Sequence, residues 1–484
     1  MLVGAFLFTS NVFAETSGNS SNSEDAKKGE LIVSIETDSQ DKDTLNSMDN
    51  DMLSSKSLNQ QGFDISDSLV NSIQTKATTM SDDFQANVVR QMGLVYLVEY
   101  SKEDYESKEQ AKEELEKTLK SMDKNVRYIE ENGTMEAFEP STETVNPTDI
   151  HPDQEWHYDM IQAPEAWDTT PGSSDTKIAV LDTGIDNDHQ NLSDYVDIDA
   201  GESFVGGDTD DVQGHGTHVA GTIASYGEVS GVMQEATLIP VKVLDDSGSG
   251  SIYGIVEGIL YAANEGSDVI NMSLGGGGYD QSMEEAIETA SSEGTIVVAA
   301  SGNDGMENVS YPAAYDDAIA VGSVDSSEQR SDFSNYGPEL EVVAPGENIY
   351  STVPGNDYDT LDGTSMATPH VAGVVGLIRS ADPAISVDEA RSILAQTATE
   401  AGSENEYGNG IVNAGDAVAE VSNGNGGEDP ENPEKPDVPE WEAYTFYEAG
   451  DVVTYDGEEY VCDIAHYSFP GWEPPNEPIY WSIK

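Results

Sequence analysis

Asp362-Gly-Thr-Ser-Met-Ala-Thr-Pro-His370 is a run of small residues that leads directly into an apolar segment, residues 371–378. Pro369 suits the first turn of a helix, because its missing N–H loses no partner there. We therefore expect Ser365 at the mouth of a buried helix, with its hydroxyl exposed and its N–H unpaired. This position favours a nucleophile. An ordinary serine cap before a core helix would give the same local pattern.

The segment from residue 156 to residue 421 alternates between two patterns. Short apolar runs typical of buried strands occur at 177–182, 238–244, 268–273 and 294–300. Helical stretches separate them at about 215–225, 252–265 and 281–293. This alternation predicts an α/β fold, a doubly wound parallel sheet with helices on both faces. The binding crevice of such a sheet lies beyond the carboxyl ends of its strands.

Polar residues stand at those ends. Asp182, Ser273 and Asn303 each fall at, or within about three residues of, the end of a predicted strand, whereas His215 and Ser365 open helices. A serine hydroxyl needs a base to become a nucleophile, and histidine serves near neutral pH. A carboxylate such as Asp182 would fix the imidazole. The side chain of Asn303 and the N–H of Ser365 could bind an oxyanion.

The four motifs that carry these residues resemble those of the subtilisin-like serine proteases. They are Asp182-Thr-Gly-Ile-Asp186, Gly214-His-Gly-Thr-His-Val-Ala-Gly221, Ala299-Ala-Ser-Gly-Asn303 and Gly363-Thr-Ser-Met-Ala-Thr-Pro-His370. The order Asp, His, Ser is that of subtilisin. The resemblance covers about residues 150–421. It implies a subtilisin-like fold and a serine endopeptidase with Asp182, His215, Ser365 and Asn303 as catalytic residues.

The resemblance also implies a substrate groove. Ser273, Leu274 and Gly275 would form one wall of the main specificity pocket, and Ser301 and Gly302 the other. Gly248 and Gly250 would belong to an edge strand that pairs with an extended substrate. These glycines could instead serve simple turns.

The N-terminal part divides into three segments. Residues 1–14 predict a signal peptide, which implies a secreted, extracellular protein. Residues 15–146 would form a propeptide, in which 15–85 are expected to be weakly structured. The unit at about 92–138 has a strand, a charged helix and two further strands, and resembles the family's inhibitor-type propeptide. It implies a zymogen whose own propeptide inhibits it and is cut between about residues 138 and 151. The peptidase domain would span 147–421.

Metal ligands are sparse. The resemblance implies no required cofactor, and we assign no metal site. The family's calcium loop after the histidine helix is too short here at residues 225–231, and Asn191 stands where a ligating Asp is usual. Weak binding of calcium or another cation at carbonyls near Ala313 and Tyr315 stays open. The acidic stretch 208–211 predicts a solvated loop more than a calcium site, and His215 with His218 lack a third zinc ligand.

The chain of 484 residues carries 93 acidic and 20 basic residues, a net charge of -73. Such a surface repels nucleic acid and anionic membranes, so neither is expected as a partner. Molar salt screens the self-repulsion, which predicts a halophilic protein. Cys462 is the only cysteine, so no disulfide can form within the chain. We expect a monomer that acts on protein substrates.

The C-terminal part begins with a Gly-, Pro- and Glu-rich linker, residues 422–440. Residues 441–484 are rich in aromatics and predict a small all-β module with a hairpin at 452–461. This segment resembles chitin-binding modules, which implies binding to chitin or a related polysaccharide. Tyr467 and Trp472 are candidates for stacking on sugars, although each could equally be a core residue.

The sequence therefore predicts a secreted serine endopeptidase, made as a zymogen and anchored to polysaccharide by its tail. Two alternatives remain at this stage. The chain could be a carbohydrate-binding adhesion protein with an inactive protease scaffold, or a protease that processes a single partner protein. The intact set of catalytic motifs argues against the first alternative.

Overall fold

The computed structural model describes residues 28–37, 48, 52, 56–77, 79–138, 141–142 and 152–422, and the strand residues 446–447, 452–455, 458–462, 466–467 and 481–483. The predicted signal peptide and all but the first residue of the predicted linker lie outside these ranges. The chain divides into two units, residues 1–423 and 424–484.

A seven-stranded, wholly parallel sheet forms the centre of the first unit. Its strands are β7 (Gly172–Asp182), β8 (Glu202–Ser203), β9 (Glu235–Lys242), β11 (Val269–Met272), β13 (Ile296–Ala300), β14 (Ala318–Val324) and β15 (Val342–Pro345). Their order is β15-β14-β13-β11-β7-β9-β8. After β9 the chain crosses over β7 to form β11, so the winding direction reverses beside β7. The predicted fold class is confirmed.

Helices cover both faces of this sheet. They are α5 (Pro152–Met160), α6 (Ala163–Trp167), α7 (His215–Ile223), α8 (Ile252–Asn264), α9 (Gln281–Ser292), α10 (Thr364–Ala381), α11 (Val387–Thr397), α12 (Glu404–Tyr407) and α13 (Ala414–Ser422). Alanine, valine and glycine dominate α10, which lets this helix pack closely on the central strands. Its residues from Thr364 to Arg379 are all buried.

One prediction for this helix is wrong. α10 begins at Thr364, so Pro369 is its sixth residue and lies inside the helix rather than in its first turn. A proline there cannot donate to the carbonyl four positions earlier, which is that of Ser365. Ser273 compensates, because its hydroxyl donates to that carbonyl at 2.9 Å.

The N-terminal unit, defined here as residues 28–138, has its own four-stranded antiparallel sheet in the order β2-β3-β1-β4. Its elements are β1 (Lys28–Ile35), α1 (Lys56–Gln60), β2 (Phe63–Ser68), α2 (Leu69–Lys76), α3 (Asp82–Met92), β3 (Leu94–Ser101), α4 (Lys108–Ser121) and β4 (Val126–Glu131). The prediction that residues 15–85 are weakly structured is wrong for 28–37, 56–77 and 82–85, and the folded unit is wider than 92–138. Leu31 and Val33 of β1 pack in its core with Phe63 and Tyr96.

The remaining strands lie in residues 1–423 and in the C-terminal module, within residues 424–484. β5 (Thr134–Ala137) lies between β10 (Ser249–Ser251) and β12 (Leu274–Gly275), and β6 (Ser141–Thr142) extends the hairpin of β16 (Ile349–Val353) and β17 (Asp357–Asp362). The C-terminal module has β18 (Phe446–Tyr447), β19 (Val452–Tyr455), β20 (Glu458–Cys462), β21 (His466–Tyr467) and β22 (Trp481–Ile483). β19 and β20 form the predicted hairpin. Cys462 and Trp481 are buried in the core of this module.

Within the described residues, no helix combines the length and the apolar character that crossing a bilayer requires.

Candidate active site

Three neighbouring strands bring the predicted polar residues to one edge of the sheet. β7 ends at Asp182, Ser273 follows β11, and Asn303 lies three positions beyond β13. Because these strands are parallel and adjacent, their carboxyl ends meet beside the reversal of winding at β7. α7, which opens with His215, and α10, which carries Ser365, pack against each other and begin at the same edge.

Asp182 and His215 form a buried pair. The Nδ1 atom of His215 lies 2.8 Å from Oδ1 of Asp182 and 3.0 Å from Oδ2. Asp182 is fully buried and His215 almost so. An ionised carboxylate only accepts hydrogen bonds, so Nδ1 carries the proton and Nε2 carries the lone pair. This tautomer is the one that a general base requires.

Asp211 holds this pair in place, and the sequence analysis missed its role. Its carboxylate accepts hydrogen bonds from the hydroxyls of Thr183 and Thr217 and from the N–H groups of Gly214 and Thr217. Thr183 follows Asp182, and Gly214 precedes His215, so one buried carboxylate joins the two segments that carry the Asp182–His215 pair. The prediction of a solvated loop at 208–211 is therefore wrong for Asp211. Its position four residues before His215 was its only signal.

Ser365 is clamped to Ser273 by two hydrogen bonds. The Oγ atom of Ser365 donates to the carbonyl of Ser273 at 3.0 Å, and the hydroxyl of Ser273 donates to the carbonyl of Ser365 at 2.9 Å. Ser365 is fully buried in this structure, so the prediction of an exposed hydroxyl is wrong here. No described residue accepts a hydrogen bond from its N–H, which agrees with the prediction for that group.

Asn303 is oriented by Thr364. Its Oδ1 atom accepts from the N–H of Thr364 at 2.9 Å and from its hydroxyl at 2.8 Å. The carbonyl side of the amide is thereby occupied, which leaves the Nδ2 donor for another partner. This donor lies beside Gly363, where an added Cβ would approach it to 3.2 Å. Asn303 and the N–H of Ser365 thus belong to the same small region.

The glycines predicted to line the groove lie beside β5 and in tightly packed turns. Gly275 and Gly248 flank β5, and a Cβ on Gly250 would lie 2.1 Å from the carbonyl of Val243. Gly302 has a φ of +107°, and its added Cβ would lie 2.4 Å from Asn335. A side chain at Gly250 or at Gly302 would collide with these neighbouring atoms, so both positions require glycine.

Asn335 is a second residue that the sequence analysis missed. It accepts from the N–H groups of Asp304 and Met306, and its own carbonyl accepts from the hydroxyl of Ser301. It therefore fixes the loop that carries Ser301 and Gly302. Leu274, the remaining predicted groove residue, is buried in β12.

The side-chain amides of Asn191 and Gln154 form hydrogen bonds with the backbone of the loop at 225–231. Asn191 donates to the carbonyl of Val229 at 3.3 Å, and the side chain of Gln154 contacts both the N–H and the carbonyl of Ser230 at 3.1 and 3.0 Å. In the described part of the chain, no group of three or more His, Cys, Asp or Glu side chains is placed to hold a metal ion. His218 donates to Ile349 and does not converge with His215.

Three imidazoles are buried behind the site. The Nε2 atom of His370 lies 3.0 Å from Nδ1 of His157, and Nδ1 of His370 lies 2.8 Å from the carbonyl of Met366. Burial lowers the pKa of His370 to about 4 and that of His218 to about 3. Burial also holds the pKa of His157 well below its ordinary value. All three are therefore neutral near pH 7.

Carboxylates are concentrated where the N-terminal unit covers α8 and α9. Glu130 accepts from the N–H of Gln281 at 3.1 Å, at the start of α9. Burial, followed by repulsion from Asp280, raises the pKa of Glu130 to about 7. Burial likewise raises the pKa of Glu257 in α8 to about 7, with Asp67 of the N-terminal unit adding to the effect.

An ion pair accompanies these carboxylates. Arg127 lies 2.6 Å from Glu285 of α9, whose second oxygen accepts from the hydroxyl of Tyr128 at 3.1 Å. Burial raises the pKa of Glu285 despite its pairing with Arg127.

A parallel sheet that carries the Asp182–His215 pair and Ser365 at one edge is the arrangement expected of a serine hydrolase, and comparison with known proteins identifies the family. Residues 173–410 match the model of the subtilase family, and residues 440–482 match carbohydrate-binding module family 5/12. M-protease of Shouchella clausii is 45% identical over 298 residues, which cover 60% of this chain and 74% of the relative.

Two further relatives extend the comparison. Subtilisin Savinase of Lederbergia lenta is 48% identical over 264 residues, 54% of this chain and 96% of the relative. Thermostable alkaline protease of Halalkalibacterium halodurans is 42% identical over 315 residues, 64% of this chain and 82% of the relative. The chain belongs to the subtilase family. It is a subtilisin-like serine endopeptidase with a carbohydrate-binding module, and the alternative of an inactive adhesion protein is not favoured.

Proposed function

We propose that Ser365 is the nucleophile, His215 the general base and Asp182 the residue that orients His215. The observation that carries this assignment is the buried Asp182–His215 pair at the end of β7, beside the helix of Ser365. Nε2 of His215 takes the hydroxyl proton as Ser365 attacks a peptide carbonyl. Asn303 Nδ2 and the N–H of Ser365 then stabilise the oxyanion.

Substrates would bind as an added strand between β10 and β12. Gly248 and Gly250 would offer main-chain hydrogen bonds on one side, and Ser273, Leu274 and Gly275 on the other. Ser301 and Gly302 would form the opposite wall of the pocket for the residue before the cut. The occupation of this groove by β5 supports the proposal, since β5 pairs with both strands as a substrate would.

The N-terminal unit would act as a propeptide, and the chain would be a zymogen. β5 fills the groove, and Ser365 is fully buried while it does so. The leading apolar segment, residues 1–14, supports secretion, and the net charge of -73 supports activity in molar salt. We expect the mature enzyme to need no cofactor.

The C-terminal module would bind chitin or a related polysaccharide. Tyr467 and Trp472 are the proposed stacking residues. The backbone of Tyr467 belongs to β21, but its side chain and the whole of Trp472 lie outside the described residues. Retention on chitin beads tests this proposal in the Ser365→Ala background, which prevents self-digestion. A chain that ends at residue 421 should pass through, and Tyr467→Ala and Trp472→Ala should each weaken retention.

Casein hydrolysis in molar salt tests the catalytic assignment. The wild-type chain should hydrolyse casein once residues 1–138 are removed, and Ser365→Ala should not. Ser403→Ala, at the exposed start of α12, is the matched control and should remain fully active. Hydrolysis that persists in folded Ser365→Ala would refute the assignment of the nucleophile.

A further inference from the structure

Two neighbouring cavities flank the loop at 225–231. The first has a volume of about 310 Å³ and is lined by this loop and by α5 and α6, and the second has a volume of about 390 Å³. Tyr226 and Gln234 line both cavities, so the two are adjacent, and we call them together the loop groove. Tyr226 is 64% exposed, so its ring is available to a ligand in either cavity.

Three further aromatic rings are fixed in the walls of the loop groove. In the first cavity, Nε1 of Trp167 donates to the carbonyl of Val232 at 2.7 Å, and the hydroxyl of Tyr158 donates to a backbone carbonyl of the loop. The centroids of these two rings are 5.6 Å apart. In the second cavity, the hydroxyl of Tyr195 donates to the carbonyl of Gln234 at 2.8 Å. Because these polar atoms are already paired, each ring offers a carbon surface to a ligand.

Carboxylates surround these rings. Glu155 and Asp159 lie one turn apart on α5, and Glu228 lies in the loop, and all three are exposed at the first cavity. Asp194 and Glu235 line the second cavity. No lysine, arginine or histidine is among the described residues that line either cavity. Carboxylates beside aromatic faces attract a cation, both through their charge and through the quadrupole of the ring. A ligand of the loop groove is therefore expected to be positively charged.

The loop groove is separate from the catalytic edge. The loop follows Ile223, the last residue of α7, whereas His215 opens that helix. The 9 residues of α7 span about 13 Å, so the groove and the catalytic pair lie at opposite ends of this helix. None of the described lining residues belongs to the N-terminal unit, to β10 or to β12. Neither inhibition by the N-terminal unit nor the proposed binding of substrate therefore explains the groove.

The lining of the loop groove favours a cationic sugar over other cations. A metal ion requires a close cluster of ligand atoms, and the described residues hold no such cluster. Sugar rings present flat apolar faces that stack on aromatic side chains, and two adjacent cavities suit successive units of one polymer. An ammonium group on the sugar would match the carboxylates. The match of residues 440–482 to a carbohydrate-binding module independently associates the chain with polysaccharide.

We propose that the loop groove binds glucosamine units of deacetylated chitin, in which the sugars carry free amines. The sugar rings would stack on Trp167 and Tyr226, and their ammonium groups would pair with Glu155, Asp159 and Glu228. The peptidase domain would thus hold a polysaccharide site of its own. The proposal extends the polysaccharide partner proposed for the C-terminal module, but it requires neither that module nor catalysis.

The experiment is zero-length cross-linking of the full-length Ser365→Ala chain to glucosamine hexamer. A carbodiimide joins a carboxylate to an amine in contact with it, with loss of one water molecule, and peptide mass spectrometry locates the joined residue. Molar sodium chloride shortens the screening length to about 3 Å and suppresses binding by charge alone. Excess N-acetylglucosamine hexamer is added to occupy the C-terminal module without supplying an amine. We expect adducts on Glu155, Asp159 or Glu228. Adducts spread evenly over exposed carboxylates, or none in the loop groove, would overturn the proposal.

An acetylated lysine hexapeptide is the matched ligand, because it carries the same number of ammonium groups without sugar rings. It should label Glu155, Asp159 and Glu228 at least about fivefold less than glucosamine hexamer does, since it lacks the stacking surface. Equal labelling by the two ligands would show that the groove recognises charge alone, and would overturn the proposal.

Variants at one position test the role of the exposed ring. Tyr226→Ala should lower the yield of adducts at Glu155 and Asp159, which lie on a different element, by about fivefold. Tyr226→Phe keeps the ring and should retain the yield. Tyr279→Ala is the matched control, because Tyr279 is 53% exposed and lines neither cavity. An unchanged yield in Tyr226→Ala, or an equal loss in Tyr279→Ala, would overturn the proposal. Casein hydrolysis and retention on chitin beads test the proposed function separately, so these outcomes leave it intact.

Discussion

Carboxylates are buried where the N-terminal unit covers α8 and α9, and imidazoles are buried where α10 crosses the sheet. Burial acts on the charged form in both regions, but it moves the two kinds of group in opposite directions. The pKa values of Glu130 and Glu257 rise to about 7, whereas those of His218 and His370 fall to about 3 and 4. The two regions must therefore respond to pH in opposite ways.

The direction of each response follows from proton binding. Separation of the N-terminal unit would return Glu130 and Glu257 towards the ordinary pKa of 4.5, so the covered state holds more protons between pH 4.5 and 7. Its stability is greatest below pH 4.5 and is lost as the pH rises to 7. Unfolding would return the histidines to 6.5, so the folded peptidase domain loses stability as the pH falls below 6.5. A pH of 7 or above would thus favour separation of the N-terminal unit while the peptidase domain keeps its stability.

The largest expected effect is acid unfolding of the peptidase domain. Each buried histidine can cost up to about 1.4 kcal/mol for every pH unit below 6.5, so His157, His218 and His370 together can cost up to about 4 kcal/mol per pH unit. Urea denaturation of mature enzyme, inhibited at Ser365, should show this loss between pH 6.5 and 4.5. A free energy of unfolding that stays level between pH 6.5 and 4.5 would show that the buried histidines do not make this domain sensitive to acid.

Inhibition of the mature enzyme by added N-terminal unit should depend on pH in the opposite direction, and should weaken as the pH rises. Glu130 and Glu257 both lose a proton over this pH range. Binding of the N-terminal unit to the mature enzyme should therefore weaken by up to about 100-fold per pH unit between pH 5.5 and 6.5. The inhibition constant should then become level above pH 7.5. Binding that tightens as the pH rises would show that Glu130 and Glu257 do not control the interface.

Glu130→Gln isolates one of these groups. The amide can still accept from the N–H of Gln281, but it no longer repels Asp280. We expect binding at pH 8 to tighten by about tenfold, and the dependence on pH to fall to about tenfold per unit. Glu131→Gln is the matched control, because the exposed Glu131 pairs with Lys108 within the N-terminal unit. Equal inhibition constants for both variants would contradict the role of Glu130.

The smallest expected effect is that of a chelator on the mature enzyme. Asn191 and Gln154 hold the loop at 225–231 through amide hydrogen bonds. We expect excess EDTA in molar sodium chloride to shift the melting temperature by less than about 2 °C, a change smaller than the loss of one ordinary interaction. A larger fall that added calcium reverses would show that metal, in addition to protonation, sets the stability of this domain.

Much of the catalytic edge could be predicted because its signals are local. The residues around Asp182, His215 and Ser365 form continuous motifs, and short apolar runs marked the central strands. Asp211 could not be predicted, because its partners come from segments up to 28 residues away and its own stretch has the composition of a solvated loop. Pro369 misled the assignment of the helix start because the hydroxyl of Ser273, distant in sequence, compensates for its missing donor.

The N-terminal unit was harder to predict for a related reason. β1 is a short apolar run inside polar sequence, and it becomes a central strand only by pairing with β3 and β4 far along the chain. Likewise, the sequence contains 93 acidic residues, and nothing local distinguishes Glu130 from the exposed ones, whereas Glu257 stands alone among the apolar residues of α8. Their titration depends on burial by a second layer of structure, which only the folded chain reveals.

The most direct test of the account is to locate the adduct of a serine-directed phosphonylating inhibitor by peptide mass spectrometry. The chain should be labelled after maturation in molar salt at pH 8, when the N-terminal unit has been released. We predict a single adduct on Ser365, formed as casein hydrolysis is lost, and no adduct on the uncut precursor. Loss of activity with the adduct on another serine, or with none on Ser365, would contradict the assignment of the nucleophile.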